Sequence, residues 1–595
     1  MNRKLVAWLL IVAMLTATAG MVVAQEPGPL EPLDSAPSGE GGEMTADPSS
    51  PFWFVELNSS PTADGGNLTQ TRQDKAAFRA AAKKAGLKYT ERFAFDTLWN
   101  GLSIEIQPGQ LSRLQSISGI KALYPVVTVS VPVADPDNGA DLATALAMTG
   151  ANLAQSVLGY TGEGVRVAVM DTGLDYDHPD LGGDGVTRSN SAVFPTGRVV
   201  TGWDFVGDAY NADPSSTLYY PYPSPDAYPD DCNGHGTHVS GIVGASAAGP
   251  GGATGVAPDV TFGAYRVFGC QGSTTADIMI AAMERALADD MDVLNMSIGS
   301  AYQWPQYPTA QASDRLVNAG MVVVASIGNN GTNGLYSAGS PGLGQKVIGV
   351  ASFDNSHVQL ATFTVTPANI TAGYGNAAAA PPAPLSGSLP MAKSGTPASA
   401  ADACNVGGVS PFTPGQFAGQ AVLIRRGTCT FYEKSMNAQN AGAAAVVLYN
   451  NSAGRFSPTV AGSPAVTIPV VAVSDTEGVA INNAIASGAQ TLNWQNTTGV
   501  FVNPTGNLIS SFSSYGLSPD LVLKPDIGAP GGLIRSTYPL EQGGYATVSG
   551  TSMASPHVAG AVALLLQAKP NTPSQAVRGI LQNSEIGRAS CRERV

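Results

Sequence analysis

VRVAVMDTG, residues 165–173, carries an apolar run straight into an acidic turn. The run is short, β-branched and nearly free of polar alternation, the pattern of a strand buried on both faces. Similar runs follow at 262–267, 293–296, 321–325 and 347–351, with helical patterns between them such as 275–288. Strands alternating with helices predict an α/β domain, a parallel sheet with helices on both faces. Such sheets place their sites at the carboxyl ends of the strands, which is where Asp171 falls. At 356 the alternation gives way to a stretch rich in Ala, Gly, Pro, Thr and Val, and it resumes near 508. Residues 356–503 therefore read as a domain inserted into a surface loop of a host domain covering 133–584.

Upstream, residues 51–132 follow the order strand, helix, strand, strand, helix, strand, the ferredoxin-like α+β pattern. The first helix is expected over 74–85 with Asp74 as its cap, and the last strand over 122–129. This unit holds nine Lys or Arg against six Asp or Glu, whereas the whole chain carries −14. A basic unit ahead of an acidic body predicts association between the two. Residues 25–50 contain six carboxylates and no Lys or Arg, and read as a disordered linker. Arg3 and Lys4, then an apolar run over 5–15 and small residues up to Ala24, read as a signal peptide spanning 1–24, and hence a secreted protein. With that segment removed, nothing in the sequence calls for a membrane. Residues 585–595, EIGRASCRERV, break the preceding pattern with five charges and read as a non-coding tail, so that the chain would be truncated there.

The acidic balance excludes nucleic acid as a natural partner. Apolar residues make up 44% of the 595, enough for several real cores. If Cys591 belongs to the tail, four cysteines remain. In an exported protein they predict two disulfides, Cys232–Cys270 and Cys404–Cys429, each within one domain; free or buried thiols are the alternative.

Three stretches carry chemistry. Asp171 sits in DTG, on its own most simply a turn residue. His235 sits in NGHGTHV, residues 233–239, between glycines that let the backbone turn tightly; His238, three residues on, could pair with it around a metal, but the Glu of the usual zinc helix is missing. Ser552 sits in GTSMASPH, residues 550–557, at the start of an apolar helix, where serine ordinarily caps. The same place suits a nucleophile, because backbone N–H groups there can meet developing negative charge.

Taken together, in the order Asp, His, Ser, the motifs DTG, HGTHVSG and GTSMASPHVAG resemble those of the subtilisin-like serine proteases, the subtilases. The resemblance implies a serine endopeptidase acting through an acyl-enzyme. Ser552 would attack, His235 would take its proton and Asp171 would orient the imidazole. It implies Asn329, in SIGNNG after the 321–325 strand, as oxyanion donor. Ser297-Ile298-Gly299 would form an edge pairing with substrate backbone, with Gly328 beside it; Gly299, Ala325 and Gly328 would leave a side-chain pocket open. Protein or peptide substrates are the implied partners, together with the chain's own 51–132 unit, which matches an inhibitory prosegment of a self-processed zymogen cleaved near 132–141. LIRRGTCTFYEKSMNAQNAGAAAVVLYNN, residues 423–451, resembles a protease-associated (PA) domain, with Arg425, Arg426 and Lys434 on a solvated face. No cofactor is needed for the chemistry. Structural calcium is common in the family, and Asp180 matches one of its ligands, one of the six to eight oxygens that calcium takes. The opposing reading is a non-catalytic binding or adhesion protein on the same fold. An esterase is disfavoured because GxSxG is absent around Ser552.

Overall fold

The computed structural model describes residues 51–107, 109–131, 142–188, 193–249, 251–456, 458–503 and 505–592, with side chains through 584. The expected signal peptide and linker, the cleavage region at 132–141 and the side chains of the expected tail lie outside the described residues.

Seven parallel strands form the central sheet. Their order is Ile527–Gly532, Ile348–Asp354, Val322–Ser326, Val293–Met296, Arg166–Asp171, Thr261–Arg266 and Val199–Asp204. Period-two alternation sends each strand's side chains to two separate cores. Val167, Val169, Val293, Val322 and Val324 meet one core, with residues of the helices His235–Gly244 and Thr551–Ala568. Ala168, Met170, Leu294, Met296, Val323 and Ala325 meet the other, under the helices Ala276–Ala288 and Pro308–Asn318. Both faces are covered, which is why the strands read as unbroken apolar runs. The strand expected over 165–169 extends to Asp171, which is thus its last residue. Ala325, expected to help open a pocket, points into the second core instead, because the alternation that exposes Ser326 to the site turns its neighbour inward.

The 51–131 unit is a four-stranded antiparallel sheet in the order Tyr89–Phe95, Gly101–Ile106, Phe52–Leu57, Ile120–Pro125, carrying the helices Leu68–Lys84 and Leu111–Gln115. All six residues of Phe52–Leu57 are buried. Trp53, Val55 and Leu57 pack against the unit's own helices through Phe78, Ala82 and Leu114. Phe52 and Phe54 face the other way and join Phe95, Leu98 and Trp99 in the core that contains Met279, Met283 and Tyr307 of the host domain. The back of this sheet is therefore a docking face, which accounts for a strand buried at every position and apolar but for Glu56, where a free sheet would alternate.

Two local expectations change. The first helix begins at Leu68, capped by Asn67, whose side chain accepts from Thr69 N at 2.8 Å and Gln70 N at 3.4 Å. Asp74 lies inside the helix and accepts from Ser59 N at 3.0 Å instead. Asn after the glycine pair 65–66 is an effective N-cap, so the helix starts there. The last expected strand splits at Val126-Val127. Its second half, Thr128–Ser130, leaves the unit and pairs antiparallel with Ser273–Thr275 of the host.

Polar contacts in the docking face do not follow net charge alone. Arg92 Nε meets the fully buried Asp277 carboxylate at 2.8 Å, and Ser103 Oγ donates to the same carboxylate. Glu284, one face of the same helix further on, accepts the Thr97 and Leu98 backbone N–H groups at 3.1 and 2.9 Å. Asp64 and Arg315, however, pair with the signs reversed. Much of the unit's positive charge is spent internally, as Lys75–Asp96, Arg79–Glu91 and Lys121–Glu56.

The insert is a closed seven-stranded barrel between His357 and Val502, with the helices Phe431–Asn440 and Asp475–Ser487 packed on it. Lys434, expected on a solvated face, is wholly buried and donates to the Asp402 carbonyl. Burial pulls its pKa down. Arg425 donates to the Ser399 carbonyl at 2.6 Å, and Arg426 sits over the rings of Phe431 and Phe456. Lys434 is thus an internal post, and the half-buried arginines serve a loop carbonyl and aromatic faces, a tertiary use that a run of basic residues does not reveal. No helix among the described residues is long and apolar enough to cross a membrane.

Burial alone would raise the pKa of Asp277, but Arg92 and the hydroxyls of Ser103 and Thr275 outweigh it and hold it below the usual carboxylate range. The stabilisation is therefore present above the unfolded pKa of about 4 and fades as pH falls further. Arg92→Met strands a buried carboxylate and is expected to cost about 3–5 kcal/mol at pH 7, read by chemical denaturation. The deficit shrinks at pH 3.

Candidate active site

Asp171 ends its strand fully buried, and Oδ1 accepts from His235 Nδ1 at 2.7 Å and from Thr172 N at 2.8 Å. That bond fixes the proton on Nδ1 and leaves Nε2 as a bare lone pair, without a partner among the described residues. His235 opens the helix His235–Gly244. The preceding Gly234 has φ +112°, and a Cβ on Gly236 would lie 2.1 Å from the Gly173 carbonyl. The glycines thus turn the chain and let the helix start press against the DTG turn.

Asp231 does most of the local anchoring. Its carboxylate accepts from Thr172 Oγ1, the backbone N–H of Asn233, Gly234 and Thr237, and Thr237 Oγ1, at 2.6–3.0 Å. Thr172 Oγ1 in turn accepts from Gly236 N at 2.8 Å. One buried carboxylate therefore ties the Asp171 turn to the His235 turn. Sequence reading passed over it; an Asp three residues before a glycine is an Asx-turn signal that could have flagged it.

Ser552 is the second residue of the helix Thr551–Ala568 and is 4% exposed. Its Oγ donates to the Ser297 carbonyl at 2.9 Å, and Ser297 Oγ donates to the Ser552 carbonyl at 2.7 Å. That second bond has a local cause. Pro556 stands four residues on and has no N–H for the Ser552 carbonyl, so a side chain supplies the donor. Ser555 donates to Asn295 at 2.7 Å, clasping the helix start to the end of strand Val293–Met296. Asn329 is exposed, and its Oδ1 accepts from Thr551 N at 2.9 Å and Oγ1 at 2.8 Å. With the oxygen held, the NH₂ is the free end of that amide.

A cavity of about 80 Å³ lies against Ser552, Ser297 and Asn329. Its walls include Ser297, Ile298, Gly299, Gly328, Asn329 and Ser552, and also Thr128, Ser130 and Val131 of the N-terminal unit. Val131 N donates to the Gly272 carbonyl at 3.1 Å, continuing the pairing with Ser273–Thr275. This second edge, 272–275, was missed from sequence, where three residues ahead of a helix carry no strand signal.

His238 and His557 are both buried. Nε2 of His238 lies 3.1 Å from the carbonyls of Ile534 and Ala546, and its pKa is pushed down to about 3 by burial, with His235 adding. Burial takes His557 down to about 4. Asp180 fits a calcium ion poorly. It is fully buried, and its two oxygens already accept from Gly249 N, Ala253 N and the Tyr545 hydroxyl, so it pins a loop with donors rather than converging with other oxygens. Among the described residues, the two groups with metal-like spacing each contain a disulfide pair, Cys232–Cys270 or Cys404–Cys429, whose sulfurs are bonded to each other. Both expected disulfides are thus present.

The profile of the Subtilase family, Peptidase_S8, matches residues 162–593. The chain belongs to the subtilase family. It is 31% identical over 556 residues to the minor extracellular protease Vpr of Bacillus subtilis (strain 168), covering 90% of this chain and 63% of that protein. It is 29% identical over 575 residues to the PII-type proteinase of Lactococcus lactis subsp. cremoris, covering 89% of this chain and 28% of that one. This subtilase therefore spans less than two thirds of the length of these relatives. The solved structure of the psychrophilic subtilisin-like protease Apa1 from Pseudoalteromonas sp. AS-11 overlaps 73% of this chain and 90% of that chain at 19% identity and a TM-score of 0.44.

Because both buried histidines hold folded pKa values below the unfolded 6.5, their stabilisation is complete above that value and is lost as pH falls. Unfolding free energy is expected to drop by about 1.4 kcal/mol per pH unit for each imidazole between pH 6 and 5. His557→Leu should remove about one proton from that slope in denaturation curves.

Proposed function

We propose that this subtilase is a secreted serine endopeptidase, made as a zymogen, with Ser552 as nucleophile, His235 as general base, Asp171 as orienting group and Asn329 as oxyanion donor. The observation that carries the reading is the bare Nε2 of His235, locked in that tautomer by a dry 2.7 Å bond to Asp171. A serine hydroxyl needs such a base to attack at neutral pH.

In the proposed cycle the Ser552 hydroxyl turns from the Ser297 carbonyl toward Nε2 as it attacks the scissile carbonyl. His235 takes the proton and returns it to the leaving amine; Asp171 stabilises the imidazolium without taking its proton. The Asn329 NH₂ and backbone N–H groups at the helix start receive the oxyanion. The acyl-enzyme is then hydrolysed by water through the same groups.

Substrate would lie extended between 272–275 and 297–299 by strand addition. The pairing of Thr128–Ser130 with Ser273–Thr275 supports this, and it supports residues 51–132 as an intramolecular inhibitor whose end fills the cleft until cleavage near 132–141. We read the barrel at 356–503 as a PA domain that governs access of long substrates. The Vpr relative is an extracellular protease, and that likeness supports secretion.

Casein hydrolysis by the purified protein tests the reading. Ser552→Ala should abolish it, and residual activity in that variant would remove Ser552 from the chemistry. Asn329→Ala should lower kcat by about 10²–10³ with KM little changed. Deleting 360–500 is expected to reduce cleavage of whole proteins more than of short peptides; equal losses would mark a folding defect instead.

A further inference from the structure

The two cysteines nearest the site bridge its two halves. Cys232 stands three residues before His235, and Cys270 two residues before Gly272, whose carbonyl holds the paired Val131. Cys232 is exposed and Cys270 half-buried. We propose that the Cys232–Cys270 disulfide is a positioning element, one that fixes the 270–275 substrate-pairing edge against the His235 loop and that small solvent thiols open. The proposal rests on the endopeptidase reading above for its consequence in turnover, but not for its structural part.

His235 does not depend on this bridge. The Asp231 carboxylate and the Asp171 bond hold its loop on the other side. Along the edge, Ser273 and Thr275 are held by Ala212, Asn211, Arg92, Tyr210 and Asp277, whereas its 270–272 end, besides the Val131 pairing, has among the described residues only Asn233 Nδ2 to the Cys270 carbonyl at 3.2 Å and Cys270 N to the Asp208 carbonyl. Opening the bridge therefore loosens the edge and spares the base.

The chemistry favours opening. Arg266, 1% exposed, ends the strand beside Asp171 and places its guanidinium 3.1 Å from Cys232 Sγ and 3.8 Å from Cys270 Sγ. Asp204 and Asp208 hold that guanidinium in place at 3.2 and 2.8 Å, and the nearer Asp208 oxygen stays 3.9 Å from Cys232 Sγ. A reductant thiolate attacks one sulfur and forms a mixed disulfide, expelling the other as a thiolate next to the cation. The reductant's second thiol then closes its own disulfide and releases the second cysteine. Two electrons pass to the protein, and each cysteine takes a proton from water. In the barrel, Lys434 Nζ also stands 3.6 Å from Cys404 Sγ, but Cys404 is buried and Cys429 half-buried, so that bridge has no exposed cysteine for a thiol to approach.

The full chain treated with dithiothreitol under native conditions tests this, with alkylation and mass mapping to show which bridge opens. We expect Cys232–Cys270 to open first. Hydrogen exchange should then quicken at 128–131 and 270–275 but not in the helix His235–Gly244. In turnover by protein cleaved near 132–141 and freed of 51–132, KM for an octapeptide should rise about tenfold, the cost of re-ordering a few edge residues. kcat and hydrolysis of a one-residue ester should stay unchanged. C232S/C270S should reproduce the exchange pattern and ignore thiol, while C404S/C429S keeps the thiol response. An opened bridge with unchanged exchange at 270–275, equal exchange changes in the His235 helix, or reduction confined to Cys404–Cys429 would each overturn the proposal. Absence of all turnover in untreated protein cleaved near 132–141 and freed of 51–132 would instead count against the endopeptidase reading, and the exchange measurement on the full chain would still decide this one.

Discussion

A hydrogen bond between two groups with almost no access to water, Asp171 and His235, organises the upper edge of this sheet. A carboxylate is stable in such a place only when donors surround it. The strand end supplies Thr172 N and the helix start supplies the imidazole. Everything nearby serves to keep those two backbones at a fixed separation. Asp231 links the turns, Thr172 and Gly236 meet directly, and a glycine stands where any side chain would force the helix away.

The second half of the site is built by a different shortage. Pro556 deprives the Ser552 carbonyl of its helical partner, and Ser297 answers it from the neighbouring strand end. The reciprocal bond from Ser552 couples the helix to the 297–299 edge. A residue that would weaken an ordinary helix thus ties Ser552 to the segment that lines the cavity.

The N-terminal unit meets the host through a sheet that is apolar on both sides. Its own helices cover one side and host helices the other, with Asp277 buried and Glu284 half-buried between them. Burial on that scale makes the contact chiefly hydrophobic. Long-range charge attraction, read from composition, describes it less well than a few desolvated carboxylates with specific donors. The strand that leaves the unit does so because Ser273–Thr275 offers it backbone partners that the unit's own sheet does not.

The α/β class, the ferredoxin-like order of the first unit, the insert and the motifs around Asp171, His235, Asn329 and Ser552 were legible because they depend on local patterns. Unbroken apolar runs report burial on both faces, and glycine-flanked polar residues report turns at strand and helix ends. Those features, and the residues at the carboxyl edge, follow from the chain's local pattern. Long-range packing is what makes Asp231 join two turns, Lys434 internal and Ala325 face a core, and what brings Thr128, Ser130 and Val131 to the cavity that Ser552 lines. Each of these depends on which distant backbone group a side chain meets, and sequence patterns record periodicity along the chain, not the partner that packing brings across it.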